Sequence, residues 1–150
     1  MTILPLVLLL AACDQEQAEP GPAVQTATLT GLYQAAGQDR ARSRLCILAP
    51  DPGNAAFGLV VQNAGASCSG AGEADRNGNS LRLTMAGAEP CTILASIDGT
   101  RITFPPDLPA ACAYYCGPGG DLAGVTLNKT GGSTADAMRA LDPAGDPLCG

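Results

Sequence analysis

The chain has 150 residues, a formal net charge of −6 and 46% hydrophobic residues, yet only 3% aromatic ones, and it contains seven cysteines and no histidine. The missing histidine excludes any Ser-His-Asp or Cys-His centre built within the chain. The acidic balance argues against nucleic acid as a partner.

Residues 1–12 read MTILPLVLLLAA, without a charged side chain. The apolar run at 3–12 is half of the roughly 20 residues that a membrane-crossing helix needs. Its length fits the apolar middle of a secretory signal ending in small residues. The tetrad Leu10-Ala11-Ala12-Cys13 that closes it resembles the lipobox of bacterial lipoproteins. The resemblance implies that the Cys13 thiol is acylated with diacylglycerol and that a peptidase cuts before it. It also implies a bacterial cell-envelope location facing the periplasm, with the membrane as a partner and the choice of inner or outer membrane left open. Several acyl chains, at about 0.8 kcal/mol per buried CH₂, anchor a protein almost permanently. Residues 13–27 continue as CDQEQAEPGPAVQTA, acidic and broken by Pro and Gly. Such composition gives a solvated, flexible linker with a reach on the order of 20 Å.

Setting Cys13 aside leaves Cys46, Cys68, Cys91, Cys112, Cys116 and Cys149. An even set in an exported chain predicts three structural disulfides rather than a metal site, since there is no histidine and no pair of C-x₂-C units. Spacing does not choose among 15 connectivities. The expected pairing joins Cys46 to Cys68 and leaves Cys91, Cys112, Cys116 and Cys149 to pair among themselves. With so few aromatics, bridges at roughly 3 kcal/mol each would supply much of the stability.

From residue 28 onward one domain is expected, running to 150. Seven short alternating segments follow one another to residue 104: TLTGLYQ, RLCILA, AFGLVVQ, ASCSGAGEA, SLRLTMAG, CTILASI and TRITF. The fourth is weakened by its glycines. The fifth alternates cleanly, with Leu81, Leu83 and Met85 on one face and Arg82 and Thr84 on the other. Asp98-Gly99 is a strong hairpin signal. Period-two alternation with one polar face predicts an antiparallel sheet. The fold class is therefore mainly β: a meander closing as a small barrel, with a sandwich as the alternative. After residue 104, PPDLPAACAYYCGPGG predicts a short helical turn over 108–115, bringing Cys112 and Cys116 to one side. LAGVTLNK supplies a last strand. GGSTADAMRALDP reads as a short helix with Ser133 as N-cap and Asp136 completing a capping box. Cys149 would pin the tail.

Candidate chemistry is sparse. Arg40, Arg42 and Arg44 alternate in Arg40-Ala41-Arg42-Ser43-Arg44, so an extended backbone turns all three to one side, where they would bind phosphate or carboxylate; alternatively they form a solvated strand edge. Asp75, Asp98 and Asp107 are read as turn residues, and Gly117-Pro118-Gly119-Gly120 lacks the lysine of a phosphate loop. Tyr114 and Tyr115 offer a recognition patch, or one packs over the disulfides while the other is half exposed. Cys112 and Cys116 form a redox pair only if they bond to each other with an exposed, low-pKa thiol.

The hairpin-rich exported domain, with Cys46 and Cys68 about 22 residues apart, also resembles periplasmic metalloprotease inhibitors. That resemblance implies an eight-stranded barrel that blocks proteases through an N-terminal segment and barrel loops. It covers residues 30–104, and the tryptophans of that family are missing. The leading expectation is a membrane-anchored binding or structural module of the cell envelope. An envelope protein is the possible partner, and no enzymatic activity, cofactor or metal is expected.

Overall fold

The computed structural model describes residues 28–37, 42–51, 53–63 and 65–150. The expected signal segment, Cys13, the linker and Arg40 lie outside the described residues. Eight strands follow in order: β1 (Gly31–Gln34), β2 (Arg44–Asp51), β3 (Asn54–Asn63), β4 (Ala66–Asn77), β5 (Ser80–Met85), β6 (Thr92–Asp98), β7 (Arg101–Thr103) and β8 (Thr126–Gly131). Each pairs antiparallel with the next, and β8 returns to β1 to close a barrel. A 3-10 helix spans Ala110–Tyr115 and a short helix, α1, spans Thr134–Met138.

The barrel forms because period-two segments put one apolar row inward. Leu81, Leu83 and Met85 are buried on β5 while Arg82 and Thr84 are exposed. Ile93, Ala95 and Ile97 do the same on β6. With Tyr33, Leu45, Ile47, Phe57, Leu59 and Leu127 these residues fill the interior, as expected where eight strands leave room for side chains only.

The glycine-weakened fourth segment becomes β4, the longest strand, at 12 residues. Its glycines make room rather than break the strand. A Cβ on Gly70 would sit 2.5 Å from the Met85 sulfur, and one on Gly72 would sit 1.9 Å from the Thr84 carbonyl oxygen. Full pairing to β3 and β5 along its length outweighs the entropic cost of glycine. Two turn assignments shift. Asp75 lies within β4 opposite Arg82, not in a turn. Asp98 is the last residue of β6, paired with Arg101, so the two-residue loop is Gly99-Thr100, with Gly99 at φ +57°.

The barrel has two mouths. At the first, the long β7–β8 connection, residues 104–125, folds over the opening and carries the 3-10 helix. Two bridges hold it there, Cys91–Cys112 and Cys68–Cys116. The third, Cys46–Cys149, ties the tail to the outer wall. The expected Cys46–Cys68 pair is therefore corrected. Leu45 and Ile47 occupy the interior, so Cys46 faces outward, whereas Cys68 lies in the core at the capped mouth. Neighbouring in sequence, the two sulfurs end on opposite sides of the sheet.

α1 lies outside, where Ala137, Ala140, Cys46 and Cys149 form a second small core with Leu32, Leu48 and Leu148. The capping box is present: Ser133 Oγ accepts from the Asp136 N–H at 3.0 Å and the Ser133 N–H donates to the Asp136 carboxylate at 3.0 Å. The Ser133 hydroxyl, which also donates to that carboxylate at 2.7 Å, and after it the Ser133 N–H hold the Asp136 carboxyl below its ordinary range.

At the second mouth the chain enters at Thr28. Tyr33 is buried, its hydroxyl donating to the Leu29 carbonyl at 2.8 Å. Lys129 lies 5.4 Å above the ring and donates to the Thr28 carbonyl. Burial lowers the Lys129 pKa, with a further push from Arg76. Burial also raises the Tyr33 pKa to about 12, against a smaller opposing pull from Arg76. Because the folded pKa is the higher one, this contribution to stability is complete below pH 10 and is lost as pH rises towards about 12. Stability measured between pH 9 and 12 should fall in the wild type, and the fall should be shallower in Tyr33→Phe. Parallel curves would show that Tyr33 does not set the alkaline limit.

Candidate functional site

The structure brings two of the three candidate arginines to one groove. Ser43 is buried, its Oγ accepting from the Gln62 N–H at 2.9 Å. That anchors the odd position inward and sends Arg42 and Arg44 to the outer wall, as strand alternation requires. Arg44 starts β2, opposite Val60 on β3 and Gln34 on β1. The facing wall is the segment after α1. Arg42, Arg44, Gln62, Leu141, Asp142 and Pro143 together line a groove of about 280 Å³.

That segment holds its own shape. Asp142 Oδ1 accepts from the backbone N–H of Ala144 at 2.8 Å and of Asp146 at 2.9 Å. Leu141 pairs with Pro147, and the Leu148 N–H donates to the Ala140 carbonyl at 2.8 Å. Cys149, one residue on, is covalently fixed to β2. The groove wall is therefore built from both ends.

The two guanidiniums differ. Arg44 donates through Nη1 to the Leu141 carbonyl at 3.0 Å, and its Nε is buried with no acceptor among the described residues. Arg42 is exposed and, among the described residues, has no hydrogen bond or ion pair. An ion pair among the described residues lies elsewhere, between Asp136 on α1 and Arg139 at its C-terminal cap.

The remaining sequence candidates resolve as structure. Cys112 and Cys116 bond to different partners, so they are not a dithiol pair. Tyr115 packs on the core and donates to the Glu89 carbonyl at 2.7 Å, whereas Tyr114 is 64% exposed with its ring edge-on to Tyr115. Gly120 lets the cap approach its bridge: a Cβ there would lie 3.1 Å from the Cys68 sulfur. Among the described residues no three His, Cys, Asp or Glu side chains converge on a metal-sized point, and no helix is long and apolar enough to cross a membrane.

Residues 141–143 were not foreseen as part of a site. The available signal was Cys149, which announced that the tail would be pinned but not to which strand. No family model, curated protein or solved structure matches the chain. The resemblance to protease inhibitors loses the pair on which it was partly drawn, since Cys46 and Cys68 are not bonded to each other.

Proposed function

We propose that the protein is a lipid-anchored module of the bacterial cell envelope, facing the periplasm and acting by binding or as a scaffold rather than by catalysis. One observation carries this reading: the three bridges use six of the seven cysteines, and the seventh is Cys13, the last residue of the lipobox-like tetrad. Three disulfides fit an oxidising compartment. The filled interior leaves the outer wall and the mouths as the surfaces for contact.

The entry point of the chain gives the anchor a direction. Thr28 sits at the second mouth, so a lipid on Cys13 holds that mouth nearer the membrane, through a linker with a reach of about 20 Å. The disulfide-braced cap and the arginine groove then lie at the far end.

Intact-mass analysis of protein from its native host tests the proposal. The expected product begins at Cys13 and carries diacylglycerol, and Cys13→Ser leaves the protein uncut or releases it from the membrane fraction. An unacylated Cys13 together with free thiols at the other six positions would overturn it.

A further inference from the structure

The geometry points to the groove between the start of β2 and residues 141–143 as a binding site for a carboxylate, held by Arg42 and Arg44. The inference rests on the binding-module reading above but not on acylation, so the unacylated chain tests it separately.

Three observations meet in this groove. Two guanidiniums, two residues apart on one face, line the same cleft of about 280 Å³. Among the described residues neither the buried Arg44 Nε nor the exposed Arg42 has an acceptor. A carboxylate seated in the cleft meets the Nη donors of the two guanidiniums and allows charge-assisted, paired hydrogen bonds of the kind guanidinium makes best. The Arg44 side chain is already held by its bond to the Leu141 carbonyl, so little freedom is lost on binding.

The third charge in the cleft sets the ligand class. Asp142 lines it too, and its Oδ1 is taken by two backbone amides, which keep the carboxylate in place. Two positive charges and one negative charge favour a monoanion over a doubly charged phosphate. They favour most a carboxylate with an ammonium or amide N–H a few ångströms away to meet Asp142, as in an amino acid or a peptide end. The wall is formed by the Cys46–Cys149 tail, so the site exists only while that bridge is intact.

The test is an NMR titration of the full chain after residue 12, carrying Cys13→Ser, following the arginine Nε–H signals. The probes are glycylglycine, propionate, inorganic phosphate and anionic phospholipid vesicles. The expected result is a saturable shift of the Arg44 and Arg42 signals with glycylglycine, a weaker one with propionate and weaker still with phosphate. Arg42→Gln, an exposed position whose loss leaves the fold intact, should weaken glycylglycine binding at least tenfold. Arg44→Lys should do the same while the backbone spectrum persists. No shift at millimolar probe, an unchanged affinity in Arg42→Gln, or tighter binding of phosphate or vesicles would each overturn the assignment.

Discussion

Replacing Cys46 and Cys149 together by serine is expected to lower stability by about 4 kcal/mol. The bridge spans 103 residues of sequence, and a loop of about 100 residues corresponds to about 4.7 kcal/mol of restricted unfolded chain. The bridges are nested, however. Cys68–Cys116 lies inside the outer loop and Cys91–Cys112 inside that. With the middle bridge closed, the outer loop is about half as long, which removes about 0.6 kcal/mol. The loss corresponds to a Tm lower by roughly 15 °C for a domain of this size. Calorimetry is the suitable measurement, because the chain has no tryptophan to report unfolding. The damage should also be local first. Hydrogen exchange at the Ala137 and Arg139 amides, which close α1 onto Ser133 and Ala135, should accelerate before that of the buried strands β5 and β6. A Tm within 3 °C of wild type, or exchange accelerating evenly across barrel and tail, would refute the claim that this bridge acts by holding the tail on β2.

The second large effect is expected from a single methyl group. Gly72→Ala should cost about 3 kcal/mol, at the upper end of overpacking substitutions, whereas Gly70→Ala, two residues away on the same strand, should cost clearly less. The difference lies in what each Cβ meets. At Gly72 the obstacles are backbone atoms of the neighbouring strand: the Thr84 carbonyl oxygen at 1.9 Å, and the Ala86 nitrogen and Thr84 carbonyl carbon at 2.9 Å. Relief requires β4 and β5 to part, which breaks a ladder running from Gly72↔Met85 to Asn77↔Ser80. At Gly70 the nearest atoms are the sulfur and methyl of Met85, the far end of a side chain with three rotatable bonds. Denaturant midpoints of the two variants decide the matter. Equal losses would mean that the strands yield as easily as the methionine.

The strand segments, the inward rows such as Leu81-Leu83-Met85, the capping box at Ser133 and Asp136, and the even set of six cysteines were all legible in the chain, because each depends on residues within a few positions of one another. Alternation of apolar and polar side chains dictates which face is buried whatever the neighbouring strand is. A cap needs only its own helical turn. The order of the barrel was legible for a related reason, since successive short hairpins leave few other ways to close.

What only the tertiary structure decided involves pieces far apart in sequence. Which sulfurs meet depends on which side of the sheet each one leaves. Cys46 and Cys68 are 22 positions apart and on opposite sides, while Cys46 and Cys149 are 103 apart and bonded. The long β4 was hidden because glycine lowers a strand's local preference, and only the bulk of Met85 and the backbone of β5 show why the position must stay small. The arginine groove was half visible. The alternation of Arg42 and Arg44 around Ser43 set their direction, but Leu141, Asp142 and Pro143 reach them only because a covalent bond at Cys149 lays the tail across β2. Local rules fix which way a side chain points, and long-range closure fixes what it faces.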